Sequence, residues 1–298
     1  MSLVIVGSVA LDSVKTPFGS VKNALGGSAV YASMASKNFC QTHIVGVVGN
    51  DFPKEHINLL ESNKISTTGL EFANGNTFKW KGVYNDLNKA ETLDTQLNVF
   101  ADFNPKIPEN YQKCKYLFLG NIHPKLQLEV LQQMKSCQIS ACDTMNYWIS
   151  SKRDKLLKVI EKVDILFINE NEIKMLTDEQ NIFIAAQKTQ EMGAKLIIVK
   201  RGEYGAVAIM NDFIFFTPIF PVKKVIDPTG AGDSFAGGFM GYLSQQNKFD
   251  ETTIKNAMIY GTITASFNVE DFSLNKLQKI DFEMIEKRKE AVKKSVVF

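Results

Sequence analysis

In the run Asp227-Pro228-Thr229-Gly230-Ala231-Gly232-Asp233, three small residues lead directly into a carboxylate, and Phe235, Phe239 and Leu243 follow at helical spacing. Pro228 prevents a helix from running through from Val225, so a new helix must start after it. Thr229 is the expected N-cap and Gly230-Ala231-Gly232 the expected first turn. Such a turn has unpartnered backbone N–H groups and the positive end of the helix dipole, and small side chains let a phosphate approach them. A carboxylate beside a phosphate is repelled unless it holds a cation or takes a proton from an attacking hydroxyl. The second role makes Asp233 the base in phosphoryl transfer to an alcohol, with Gly230, Ala231 and Gly232 stabilising the group in transit. The alternative is a capped helix whose glycines only ease packing.

A helix start of this kind needs strands to deliver it to a cleft. Apolar runs at Leu3–Val6, 43–48, 116–119, 138–141, 163–168, 195–199, 205–210 and 213–217 read as strands. Helical patterns separate them at 29–39, 53–61, 124–134, 150–162, 170–176, 182–192 and 254–267. This alternation predicts a layered α/β sheet in one domain, residues 1–298. Ligands of such sheets bind beyond the carboxyl ends of the strands. Asp12 lies just past the first strand and is placed to accept hydrogen bonds from substrate hydroxyls, or else forms an Asx turn. Gly26-Gly27-Ser28 opens the second element, a helix whose backbone a ligand can also approach.

From about 69 to 103 the pattern alternates instead: Phe78, Trp80 and Tyr84 share one face of a strand and Lys79 and Lys81 the other. A sheet with one wet and one apolar face suits a small β-lid that excludes water from the cleft; an ordinary hairpin packed on the main domain is the other reading. Asp94, Gln96 and Asn98 would fall on one side of its last strand, as hydroxyl readers. Asn121, beyond the 116–119 strand, is a further acceptor-side candidate. Asn169-Glu170-Asn171-Glu172 opens a helix at the end of the 163–168 strand; it supplies either oxygen ligands for Mg²⁺ or acids that suit the helix dipole. Lys200 precedes the turn Arg201-Gly202-Glu203-Tyr204-Gly205 and would add a point charge at a phosphate, though the two glycines also suit a plain hairpin.

The 227–235 stretch resembles the signature of the ribokinase-like (PfkB) carbohydrate and nucleoside kinases, D-T-x-G-A-G-D before a Gly-rich helix. The resemblance extends from Val4 to about Phe272. It includes the Gly26-Gly27 pair, a V-G-x-D-like turn at Val48-Gly49-Asn50-Asp51, the N-x-x-E of Asn169 and Glu172, and the two-glycine turn at 202–205. It implies a three-layer α/β/α sandwich with a small β-sheet lid. The implied reaction is ATP-dependent phosphorylation of a small sugar or sugar derivative, with a nucleoside kinase as the alternative, for which Tyr31, Phe78 and Trp80 would sandwich a base. On this resemblance Asn169, Lys200, Gly202, Gly205, Thr229 and Asn268 belong to the nucleotide side, Asn268 next to the adenine. Asp12, Gly26, Gly27, Asn98 and Asn121 belong to the acceptor side. Glu172 and Asp227 would hold Mg²⁺, and a monovalent cation is compatible. Tyr31 stands where the family usually has Asn.

Composition sets further bounds. With 298 residues and 45% apolar side chains the chain can bury a large core. Its 34 basic and 32 acidic side chains form no single-sign block, so neither nucleic acid nor an anionic membrane surface is an expected partner. Lys287-Arg288-Lys289, interleaved with Glu286 and Glu290, reads as a solvated helix face. Four cysteines without a C-x-x-C pair and three histidines argue against zinc, and His123 takes no role. No leader sequence precedes Leu3, which with unpaired thiols leads us to expect a cytoplasmic protein. No Walker-type loop occurs. A dinucleotide-dependent dehydrogenase is the weaker reading of Gly230-Ala231-Gly232, which lacks a third glycine and a following ribose-binding acid. A catalytically idle ligand-binding regulator is another. Monomer and lid-paired homodimer both fit the exposed lid strand.

Overall fold

The computed structural model describes residues 1–296. In chain order its strands are β1 (Ser2–Val6), β2 (Ala10–Thr16), β3 (Gly19–Gly26), β4 (Gln41–Val48), β5 (Ile65–Phe72), β6 (Phe78–Asp86) and β7 (Lys89–Gln96). They continue with β8 (Tyr116–Leu119), β9 (Ile139–Asp143), β10 (Ile165–Asn169), β11 (Leu196–Lys200), β12 (Ala206–Met210) and β13 (Phe213–Thr217). The helices are α1 (Ser28–Ser36), α2 (Lys54–Ser62), α3 (Pro124–Gln133), α4 (Asn146–Ser151) and α5 (Arg153–Ile160). They are followed by α6 (Glu170–Thr177), α7 (Ile182–Glu191), α8 (Ala231–Gln246), α9 (Glu251–Asn268) and α10 (Phe282–Val296).

Leu3, Val4, Ile5 and Val6 are all fully buried, so both faces of β1 are covered, and this is why its sequence does not alternate. Leu3 and Ile5 join one core with Phe118 and Phe167, under α1, α8, α9 and α10. Val4 and Val6 join the other with Leu117 and Ile168, under α3, α5, α6 and α7. The result is the expected three-layer α/β/α sandwich. Its nine-stranded sheet has the order β13-β12-β11-β10-β9-β8-β1-β4-β5, with β12 alone running against the other strands. From β1 the chain goes first to β4 on one side and later to β8 on the other. The strand order therefore reverses at β1, and a crevice opens at the carboxyl ends there.

A second sheet has the order β3-β2-β6-β7, with β2 parallel to β6 and a hairpin at either side. This corrects the expected lid boundaries. Residues 65–72 are β5 of the main sheet, Asn98–Asp102 form a 3-10 turn, and half of the small sheet comes from 10–26. The β2–β6 pairing joins segments far apart in sequence, which local alternation cannot reveal. The helix expected over 150–162 is also broken: Lys152, at φ −136° and ψ 30°, separates α4 from α5. Among the described residues no helix is long and apolar enough to cross a membrane.

The two sandwich layers meet through aromatic contacts such as Phe239 of α8 edge-on to Phe167 of β10, with ring centroids 5.4 Å apart and Phe239 fully buried. Phe239→Ala leaves a cavity that the sheet cannot close and should cost about 3–5 kcal/mol; a clear fall in the urea unfolding midpoint would show it.

Candidate active site

The 227–233 stretch begins as a tight turn held by Asp227, which is 1% exposed. Its Oδ1 accepts from the Thr229 N–H at 2.9 Å and its Oδ2 from the Ser273 N–H at 3.5 Å. Gly230, at φ 75°, is the N-cap of α8, so the helix starts one residue later than expected and Thr229 is not its cap. A Cβ at Gly230 would lie 2.3 Å from the buried ring of Tyr31, so both the φ and the packing require glycine. The Ala231 N–H turns back to the Pro228 carbonyl at 3.1 Å, and the Ser234 N–H bonds to the Gly230 carbonyl at 2.8 Å. The N–H groups of Gly232 and Asp233 find no backbone acceptor among the described residues. The Gly230 N–H likewise finds none, so the donors left for an anion at this helix start are those of Gly230, Gly232 and Asp233, and only that of Ala231 is tied up.

Asn268 is the other departure. Its Nδ2 donates to the Thr229 carbonyl at 2.7 Å and its Oδ1 accepts from Ser234 Oγ at 3.2 Å, with the residue 1% exposed. It braces the cradle from behind, with its amide used up by the protein instead of facing an adenine.

Lys200, at the carboxyl end of β11, donates from Nζ to Asp143 Oδ2 at 2.5 Å. The same Nζ lies 3.2 Å from where a Cβ on Gly232 would be, so the ammonium sits against the first turn of α8. Burial alone would lower the Lys200 pKa, but Asp143 and Glu172, with Asp233 beyond them, outweigh it and raise it. Burial pushes Asp233 up to about 7, with Asp143 adding and Lys200 opposing. Burial likewise takes Glu172 to about 7, with Lys200 opposing. One ammonium thus pairs directly with Asp143 and acts on Glu172 and Asp233 from nearby. Asp143 had no role in the sequence reading because the strand was ended at Ala141. It closes β9 beside the cleft, the same strand-end signal that singled out Asp12.

Asn169 and Glu172 form a capping box: Asn169 Oδ1 accepts from the Glu172 N–H at 2.8 Å and Glu172 Oε2 from the Asn169 N–H at 2.9 Å. The second Glu172 oxygen stays outside this pair. Mg²⁺ bound with nucleotide phosphates keeps several waters and needs only one or two protein carboxylates. Glu172 fits that part, in keeping with the absence of any group of three or more His, Cys, Asp or Glu ligands among the described residues. Asp227, the other expected ligand, turns its oxygens to the Thr229 and Ser273 N–H groups, at 2.9 and 3.5 Å. The 202–205 turn joins antiparallel β11 and β12, with φ of 57° at Gly202 and 84° at Gly205, and Arg201 Nε ties it to Glu170 at 2.9 Å.

On the other side of the cradle Asp12, 5% exposed, comes from β2 of the small sheet. A Cβ on Gly26 would fall 2.0 Å from Asp12 Oδ2, so this glycine is required by the carboxylate. Burial, then Asp227, raises Asp12 to about 7, the Gly27 N–H opposing and Asp233 adding. Tyr84 of β6 is 8% exposed and accepts at its hydroxyl from Thr229 Oγ1 at 3.2 Å. Asp12, with Gly26 against it, therefore lies near Asp233, Tyr31 and Tyr84. Other candidates have local partners. Asn98, at φ 48°, donates to the Thr77 carbonyl at 2.9 Å, and Asn121 Oδ1 accepts from Trp148 Nε1 at 2.8 Å. Phe78 stacks on Phe100 at 5.2 Å, and the Trp80 indole folds over Gly82. They do not form the base sandwich expected of them.

Comparison with known proteins bears on the fold and the family. The family model described as pfkB family carbohydrate kinase matches residues 3–279. A cytidine kinase of Thermococcus kodakarensis is 30% identical over 257 residues, 84% of this chain and 91% of the relative. The crystal structure of the Methanocaldococcus jannaschii nucleoside kinase, 22% identical, superposes with a TM-score of 0.79 over 97% of this chain and 98% of that one. An aminoimidazole riboside kinase of Salmonella enterica, solved with its riboside and an ATP analogue, gives 0.76 at 16% identity over 97% and 100% of the two chains. The dinucleotide-dependent alternative falls away, and the chain belongs to the pfkB family of carbohydrate kinases, phosphotransferases that act on sugar or nucleoside hydroxyls.

Proposed function

We propose that this protein transfers the terminal phosphoryl group of ATP to a hydroxyl of a nucleoside. The observation that carries the transfer is the first turn of α8: backbone N–H groups without a backbone acceptor, the Lys200 ammonium beside them, and Asp233 with its pKa raised to about 7. The acceptor hydroxyl lies between Asp12, which accepts from the sugar ring, and Asp233, which removes its proton as the bond to phosphorus forms. The Gly232 and Asp233 N–H groups and Lys200 offset the charge of the group in transit. Phosphoryl transfer has a loose transition state, so aligning these groups matters more than basicity. Glu172 would hold the Mg²⁺ that comes with ATP, and the ion would supply charge neutralisation on the phosphate oxygens. The small sheet covers the acceptor and excludes water. A nucleoside rather than a free sugar is supported by the cytidine and nucleoside kinases among the relatives and by Tyr31 and Tyr84 lying near Asp12.

Asp233→Asn keeps the shape and removes the base, and turnover should fall about 10²–10⁴-fold while the KM for ATP changes little. In the wild type the acid limb of kcat/KM should lie near pH 7, since the base works only once deprotonated and its pKa is raised; a limb at pH 4 to 5 would contradict the assignment. Glu172→Gln should raise the Mg²⁺ concentration needed for half-maximal rate by about tenfold or more, and an unaltered Mg²⁺ dependence would remove Glu172 from that role. An ADP-coupled panel of nucleosides, sugars and sugar acids should give turnover with a nucleoside and little with free ribose or fructose. Turnover with sugars alone would return the acceptor to that class, and no turnover at all would favour an idle regulator.

A further inference from the structure

Tyr84 reaches across from the small sheet to the cradle loop. Its hydroxyl accepts from Thr229 Oγ1 at 3.2 Å, and the residue is 8% exposed. From the main domain Thr229 is already held at two points, its N–H on Asp227 Oδ1 at 2.9 Å and its carbonyl on Asn268 Nδ2 at 2.7 Å. Tyr84 fixes the side chain, and with three points fixed the next residue has little freedom. That residue is Gly230, whose φ of 75° and contact with Tyr31 set where α8 begins.

The same strand also contacts the acceptor side. β6 runs parallel to β2 with Trp80 opposite Asp12, and Tyr84 lies four residues farther along, roughly 13 Å at strand rise. Beyond Tyr84 the hairpin turn brings Asn88 to the nucleotide side, where its Nδ2 is 3.5 Å from Glu203 Oε1 and its Oδ1 faces Gly202. A single hairpin therefore touches the acceptor carboxylate's strand, the cradle loop and the turn at 202–205.

We propose that Tyr84 is a positioning residue for the transfer: its phenol locks Thr229, and with it the N–H groups at the start of α8. This rests on the acceptor and cradle assignments made above.

The test uses the full chain with whichever acceptor the panel identifies. Tyr84→Phe keeps the ring and removes the hydroxyl, and Thr229→Val keeps the shape and removes the donor. Each should lower kcat about tenfold, the value of one hydrogen bond made in the transition state, with the KM for ATP within about twofold and the melting temperature unchanged. The double variant should be no slower than either single one, as expected for two halves of one contact. Wild-type kcat in Tyr84→Phe, or losses that multiply in the double variant, would overturn the proposal. So would a loss fully explained by a lower melting temperature. If the wild type phosphorylates no acceptor, the site assignment itself fails and this inference falls with it.

Discussion

A buried ammonium group dictates how the cleft is built. Lys200 lies at the end of β11 among Asp143, Glu172 and Asp233, three acids from three other elements. Acids gathered this closely in a poorly solvated place repel one another, and each would be driven to keep its proton. The lysine offsets this without abolishing it: Asp233 and Glu172 rest near neutrality while Lys200 stays charged. A base near neutrality is easily emptied and refilled during turnover. The cost is a dependence on complete pairing, since a buried charge that loses its partner is strongly destabilising. That dependence links β9, α6, β11 and α8 more firmly than packing alone.

The backbone around this charge is equally constrained. Asp227 is spent on N–H groups, Asn268 on Thr229 and Ser234, and Tyr31 on the space beside Gly230. None of these side chains needs to touch a ligand to matter. They determine which N–H groups stay free, and the structure leaves those of Gly230, Gly232 and Asp233 without a backbone acceptor.

Much of this was legible in the chain itself. Buried strands read as continuous apolar runs because both faces are covered, so the main sheet and its helices followed from local patterns. Asp233, Lys200, Glu172 and Asp12 stood out as polar residues at strand ends or helix starts, where a parallel sheet opens its cleft. What local patterns missed depends on distant pairing. Asp143 gains its role only because β9 lies near β11 in the sheet order, and Tyr84 because β6 pairs with β2. Asn98 and Asn268 differ: each is a polar residue near a motif, yet it bonds protein groups that only the folded chain brings near it, the Thr77 carbonyl for Asn98 and the Thr229 carbonyl and Ser234 hydroxyl for Asn268.

The composition of the small sheet has an evolutionary consequence. Its two hairpins are separate stretches of the chain, with α1, β4, α2 and β5 between them, and they meet through the parallel pairing of β2 and β6. A cover built in this way is not a module. It cannot be exchanged between relatives as one loop, and an insertion in one hairpin shifts the register against the other. A change of length in either hairpin is therefore felt by the other, through the same pairing that holds Asp12 in place.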